Sequence, residues 1–166
     1  MADKLKNLQD LLEHQIKDLY SAESQIIAAL PKMVNKATNQ KLKDAFNAHL
    51  KQTEEQKARL EQICNTLGIK PGGEKCKAME GIIKEAASFM DEKAEQAVMD
   101  AGLIAQAQRV EHYEITGYGT AHRYARQLGH SEVADLLAKT LEEEKDTDEK
   151  LNDLAIETIN VQAEEA

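Results

Sequence analysis

The chain has 166 residues, a formal net charge of −9, two prolines and no tryptophan. This length fits one domain, residues 1–166, with enough chain to bury a core. An acidic surface repels phosphate backbones, so the charge argues against nucleic-acid binding. No segment is apolar enough to cross a bilayer, which argues against a membrane partner.

Two features of the sequence predict a cytoplasmic location. The first residues lack the apolar core of a signal peptide. Cys64 and Cys76 are isolated, and no Cys-x-x-Cys spacing supports zinc, c-type haem or thioredoxin-like chemistry. Ordinary thiols in a chain without an export signal suit a reducing compartment.

Apolar residues recur at helical spacing through most of the chain, which predicts an all-α fold with no β-strand. The first four predicted helices span residues 3–36, 40–67, 75–89 and 92–128. The last predicted helix starts at residue 130 or 131 and ends near residue 159. Pro31 is expected to kink the first helix, because proline removes an amide donor. Gly68 is a suitable residue to end the second. We expect residues 158–166 to form a frayed tail.

Polar residues interrupt the buried stripes of the first two long helices. On the first helix, Glu23 breaks a ridge that is otherwise aliphatic. On the second, His49, Thr53 and Gln56 follow one another between apolar ends. A lone histidine on a core stripe is more often a hydrogen-bonded residue than a metal ligand. The polar neighbours on the same stripe favour a ligand here.

The same interruption occurs on the two later long helices. The inward stripe predicted for the helix over 92–128 is Ile104, Gln108, Glu111, Ile115, Tyr118, His122 and Ala125. It puts Glu111 at core depth with Glu114 beside it, and Glu144 lies mid-stripe on the last helix. Burying an unpaired carboxylate costs free energy. These acids therefore indicate either a bound metal ion or an error of one residue in the predicted buried face. Tyr20 and Tyr118 near these acids are expected to be core residues with satisfied hydroxyls.

The polar positions fall at one height of the predicted bundle. In an antiparallel helix pair, residues equally far from the turn are level. In the first helix pair, Glu23 and Thr53 are equally far in sequence from the turn near Thr38, so they lie at the same height. In the second pair, Glu114 and Glu144 are equally far from the turn near Gly129. Four helices that offer acids or histidine at one level are typical of carboxylate-bridged dimetal sites, which hold iron or manganese. The alternative is a polar layer that fixes helix register through hydrogen bonds.

Five segments carry a resemblance to a known family. They are Tyr20-Ser21-Ala22-Glu23, Ala45-Phe46-Asn47-Ala48-His49-Leu50, Cys76-Lys77-Ala78-Met79-Glu80-Gly81, Val110-Glu111-His112-Tyr113-Glu114-Ile115 and Thr140-Leu141-Glu142-Glu143-Glu144. In this order they resemble the YciE/YciF-type bacterial stress proteins over nearly the whole chain. The resemblance implies a ferritin-like four-helix bundle with an extra short helix, a homodimer, a dimetal centre and a role in the stress response.

The candidate ligands depart from the usual ferritin-like pattern of two Glu-x-x-His motifs. The second helix offers Thr53-x-x-Gln56 and the last helix offers Glu144-x-x-Thr147. Whether the site holds one ion or two therefore remains open. The expected ligands are Glu23, His49, Glu111, Glu114 and Glu144, with Gln56, Glu143 and Asp148 for the remaining positions.

Two functions remain open for such a layer. An enzyme of this kind would be an oxidoreductase that acts on oxygen or peroxide, a small oxidant. The competing interpretation is a non-catalytic helical bundle that serves a protein partner and binds no metal.

Overall fold

The computed structural model describes residues 5–166, which form helices and no strand. The elements are α1 (Leu8–Lys36), α2 (Gln40–Leu67), α3 (Lys77–Met90), α4 (Gln96–Gln127), α5 (Ser131–Leu154), a π-helical turn (Ala155–Ile159) and α6 (Asn160–Glu164). The predicted all-α class is confirmed. Helices α1, α2, α4 and α5 form the ferritin-like bundle, and α3 is the predicted short connecting helix.

Local side-chain chemistry sets the ends of the helices. The side chains of Asn7 and Asn39 cap α1 and α2 by accepting hydrogen bonds from backbone N–H groups three residues later. Gly68 has a φ of 70° and ends α2, and Gly129 has a φ of 78° in the turn before α5. Glycine adopts this left-handed conformation without the Cβ clash that other residues meet.

The predicted boundaries fail mainly at the two ends of the chain. The first helix was expected from residue 3; residues 3 and 4 lie outside the described part, and the observed helix starts only after the Asn7 cap. The expected frayed tail over 158–166 is wrong, because α6 continues the helix to Glu164. Ile159 is fully buried, and burying this apolar side chain stabilises the last turns. Pro31 lies inside α1, which continues to Lys36.

The bundle consists of two antiparallel hairpins, α1 with α2 and α4 with α5, and α1 also packs on α4 while α2 packs on α5. Its buried apolar residues form two clusters. One includes Leu30, Phe46 and Leu103, and the other includes Leu19 and Leu60. On α2, α4 and α5 the buried Thr53, Glu111 and Glu144 lie between the two clusters in sequence, and on α1 the buried Glu23 lies where one cluster gives way to the other. The polar layer expected at mid-height is therefore present.

The buried face of α4 is rotated from the predicted stripe. Gln108, Ile115 and His122, which were placed on the stripe, are only partly buried. Ala107 and Val110 are buried instead. Because α4 packs against α1, α3 and α5 at once, its buried surface is wider than one ridge.

Asp100 ties the turn between α1 and α2 to α4. Its carboxylate accepts hydrogen bonds from the Thr38 backbone N–H at 2.8 Å, the Thr38 hydroxyl at 2.6 Å and the Asn39 backbone N–H at 2.8 Å. Asp100 is only 2 % exposed, so these bonds compensate for burying its charge. Among the residues that the structure describes, no helix combines the length and apolarity that a membrane crossing requires.

Candidate metal centre

Four buried side chains from three helices converge in the polar layer. His49 of α2, Glu111 and Glu114 of α4 and Glu144 of α5 each place one ligand atom within 4.8 Å of the others. Glu111 and Glu114 are three residues apart, so they share one side of α4. All three glutamates have no exposed surface, and His49 is 3 % exposed. We call these four residues the acid–histidine cluster.

The cluster is not satisfied by hydrogen bonds. Both carboxylate oxygens of Glu111, Glu114 and Glu144 are buried without a hydrogen-bond partner among residues 5–166. The Nε2 atom of His49 lies 3.2 Å from Glu111 Oε1, yet neither atom makes a hydrogen bond of acceptable geometry. Two carboxyl groups can bond to each other only if one of them keeps a proton. Protons or a cation must therefore compensate these charges.

Burial shifts the pKa of Glu23 and of each residue of the acid–histidine cluster. It raises the pKa of Glu23 to about 8, and repulsion from Glu144 adds to the effect. The pKa values of Glu111 and Glu114 are raised well above the ordinary range by burial and then by the charge of Glu144. Burial lowers the pKa of His49 to about 4, so its imidazole is neutral near pH 7, which is the form that binds a metal.

Glu23 borders the acid–histidine cluster from α1. Its Oε1 accepts a hydrogen bond from the hydroxyl of Tyr118, and its Oε2 is buried without a partner among the described residues. Tyr118 is a fully buried core residue with a satisfied hydroxyl, as the sequence predicted. Glu23 therefore has one oxygen that is held in place and one that is free to bind a cation.

Three of the predicted ligand residues are bonded to other partners. Glu143 pairs with Arg59 through two contacts, at 2.8 Å to Nη1 and 3.1 Å to Nη2, and it also accepts a hydrogen bond from Gln56 at 3.2 Å. Asp148 lies next to Gln108 at 3.1 Å and His112 at 3.1 Å. The structure thus brings Glu23 together with the acid–histidine cluster and pairs Glu143 and Asp148 with other residues, whereas Gln56 keeps a buried Oε1 without a partner among residues 5–166.

Sequence reasoning missed the importance of Arg59. This residue is only 9 % exposed, and its guanidinium donates to the Thr140 hydroxyl at 2.5 Å as well as to Glu143. Its positive charge also lowers the pKa of Glu23 relative to burial alone. Arg59 is three residues after Gln56 and thus on the same side of α2, which is the signal that could have revealed it.

The donor set suits a hard or borderline divalent cation. Carboxylate oxygens combined with one imidazole nitrogen are typical ligands of iron and manganese, and neither cysteine belongs to the cluster. Six orphaned carboxylate oxygens at zero exposure are an observation that a cation would explain. The residues present therefore fit a metal ion.

The comparisons with known proteins cover nearly the whole chain. Residues 7–164 match the model of the family described as a domain of unknown function, DUF892. The chain is 47 % identical over 161 residues to Protein YciF of Escherichia coli strain K12, covering 96 % of this chain and 97 % of that protein. The chain belongs to the DUF892 family.

Several solved structures are similar to this one, among them the following three. The E. coli stress protein YciF has a TM-score of 0.90 at 46 % identity, covering 94 % of this chain and 99 % of that one. YcfI from Rhodopseudomonas palustris, described as a candidate structural protein, has a TM-score of 0.88 at 44 % identity, covering 92 % and 97 %. A protein from Xanthomonas campestris, at 20 % identity and a TM-score of 0.76, shares the fold, covering 96 % and 100 %.

Proposed function

We propose that this member of the DUF892 family is a stress-response protein that binds iron or manganese in the polar layer of its bundle. His49, Glu111, Glu114 and Glu144 would hold the metal, and Glu23 would supply the free Oε2 on the α1 side. The observation that carries this proposal is the six buried carboxylate oxygens that have no hydrogen-bond partner in residues 5–166. A divalent cation neutralises these charges without requiring several acids to stay protonated at neutral pH.

The number of ions follows from how the donors are placed. One ion fits among the four converging side chains of the acid–histidine cluster. A second ion would need Glu23 as a further ligand, because Glu143 and Asp148 are already bonded to other residues. We therefore propose one strongly held ion, with a second and weaker position beside Glu23.

A bound iron or manganese ion would supply redox chemistry toward oxygen or peroxide. The chain's own contribution is to exclude water from the layer, to keep His49 neutral and to hold Glu23 through the Tyr118 hydroxyl. We propose an oxidoreductase or metal-handling protein that works as a homodimer in the cytoplasm, with a small oxidant as its reactant. The name of the E. coli relative supports the stress-response setting.

Metal content and stability together test this function. The variants are Glu111→Gln and Glu144→Gln, and the matched control is Glu142→Gln, which removes an exposed carboxylate from the same segment of α5. Protein purified without added metal is measured by elemental analysis, and unfolding is measured after chelation. We expect iron or manganese in the wild type and in the control, and none in the two cluster variants. After chelation the cluster variants should be at least as stable as the wild type, because they remove buried charge without changing shape.

A non-catalytic bundle is the second candidate, and the Arg59 network favours it. Arg59 donates to Glu143 and Thr140, and Gln56 donates to Glu143, so these bonds link α2 to α5 as a structural polar layer would. This function predicts a wild type that contains no stoichiometric metal. It also predicts that Glu111→Gln and Glu144→Gln destabilise the protein by breaking carboxyl–carboxyl hydrogen bonds. That pair of results would reject the metal centre.

A further inference from the structure

An apolar cavity of about 240 Å³ lies between α1, α3 and α4. Its walls include Leu30 and Met33 of α1, Ile83 of α3 and Val110 of α4. The exposed Lys32 stands among the lining residues and marks the solvent side. His49 is also in the wall, so the cavity adjoins the acid–histidine cluster. Nothing in the proposed metal chemistry requires a space of this size in the apolar part of the core.

Two residues in the cavity wall carry buried polar atoms without a partner: His49, whose ring nitrogens belong to the acid–histidine cluster, and Gln106. The side-chain oxygen of Gln106 is buried and accepts no hydrogen bond from residues 5–166, and Gln106 as a whole is only 6 % exposed. An amide oxygen buried without a donor is costly, so a bound molecule that donates one hydrogen bond would remove this cost. Leu30 and Val110 in the same wall offer only apolar contact. Apart from His49, whose ring the proposed metal would bind, the cavity therefore combines an apolar body with one amide acceptor, Gln106 Oε1.

The volume limits the size of such a molecule. An apolar cavity of about 150 Å³ holds benzene. The 240 Å³ available here accommodates a molecule roughly one and a half times as large. We propose that this cavity binds a small neutral alcohol or phenol, whose hydroxyl donates to Gln106 Oε1 and whose hydrocarbon part packs against Met33, Ile83 and Val110. Binding in the cavity does not depend on a metal; only a role of the bound molecule as a reactant of the centre rests on the proposed function.

The test compares two probes that differ by one hydroxyl group. 4-Ethylphenol and ethylbenzene are titrated into the full-length protein, both after chelation and after loading with manganese. Binding is followed by isothermal titration calorimetry in both states and, in the chelated protein only, also by NMR of the methyl groups of Met33 and Ile83, which line the cavity. We expect saturable binding of 4-ethylphenol with a Kd below about 1 mM in both states. Ethylbenzene should bind about 2- to 13-fold more weakly, the range that corresponds to one net hydrogen bond.

Three variants locate the site and its acceptor. Gln106→Leu keeps the size of the side chain but removes the acceptor, so the preference for 4-ethylphenol should disappear while ethylbenzene still binds. Ala107→Leu adds a larger side chain to the cavity wall and should abolish the binding of both probes, with helical content checked by circular dichroism. Gln127→Leu, on an exposed part of α4 outside the cavity, is the matched control and should bind both probes as the wild type does.

Several results would overturn this inference. They are the absence of saturable 4-ethylphenol binding to the wild type, equal affinity of the wild type for both probes, and binding that survives Ala107→Leu. A second copy of the chain covering the cavity would also exclude the probe, and that outcome counts against the proposal. Failure of the metal analysis with intact probe binding would reject the metal centre alone, so the two proposals can fail separately.

Discussion

In the metal-free protein, the stability of the bundle should fall as the pH rises near neutrality. The size of the effect can be worked out for Glu23, whose pKa is raised by burial from 4.5 to about 8. Between these two values the folded protein keeps a proton that the unfolded chain has released. The stabilisation by this protonated carboxyl is complete below the unfolded pKa and is lost as the pH rises through the folded pKa. The sign is therefore a decrease in stability with rising pH.

The magnitude follows from proton linkage. Between about pH 6.5 and about pH 7.5, nearly one proton separates the two states of Glu23, so this group alone should lower the free energy of unfolding by about 1.2 kcal/mol. Glu111, Glu114 and Glu144 also have raised pKa values, so their contributions have the same sign. His49, whose pKa is lowered from 6.5 to about 4, acts in the opposite direction but mostly below this window, and it offsets only about 0.4 kcal/mol between the two pH values.

Urea unfolding followed by circular dichroism measures this slope on chelator-treated protein at constant ionic strength. Glu23→Gln should reduce the slope by about 1.2 kcal/mol per pH unit, because the amide cannot lose a proton and its oxygen still accepts from Tyr118. Glu142→Gln removes an exposed carboxylate and should leave the slope unchanged. A stability that is constant or rises between the two pH values would refute the reasoning about this layer.

Four further predictions concern stability and assembly. Asp100→Asn should lower the free energy of unfolding by roughly 2–3 kcal/mol in urea titration, because the amide nitrogen would face a donor at Thr38. Gly81→Ala, with open space at its Cβ, should stabilise α3 by about 0.5–1 kcal/mol. Gly102→Ala should be about 1–3 kcal/mol less stable than Gly81→Ala, because its Cβ would lie 1.9 Å from Phe89 Cζ. Light scattering should give twice the mass of one chain; a monomer mass at micromolar concentration would reject the homodimer.

The sequence alone was sufficient to predict the helical class and the polar layer. Apolar residues at helical spacing predicted the long helices, because that spacing places them on one face wherever the helix packs. Interruptions of those faces, at Glu23 on α1 and Glu144 on α5, revealed the height of the layer. Turn residues predicted how the helices are aligned within each hairpin. When a short turn joins two antiparallel helices, residues that are equally far from the turn lie at the same height. These arguments use only local geometry, which a sequence carries directly.

The sequence could not select which acids converge. The run Glu142-Glu143-Glu144 contains an exposed residue, a partner of Arg59 and a member of the acid–histidine cluster. Neighbouring residues on a helix differ by about 100° in direction, so the choice depends on the rotation of α5 against its neighbours. Asp148 was predicted as a ligand for its level but lies beside Gln108 and His112.

Tertiary packing alone decided the remaining features. Arg59 is buried because Glu143 and Thr140 approach it from α5, across a long stretch of sequence. Ile159 keeps the chain helical to Glu164 because its side chain is buried in the same apolar cluster as residues of α4. Length, composition and helical spacing therefore determined what the helices are and at which level their polar residues lie. The partners of each polar residue depended on helix rotation and packing, because contacts between distant segments leave no periodic signal in the sequence.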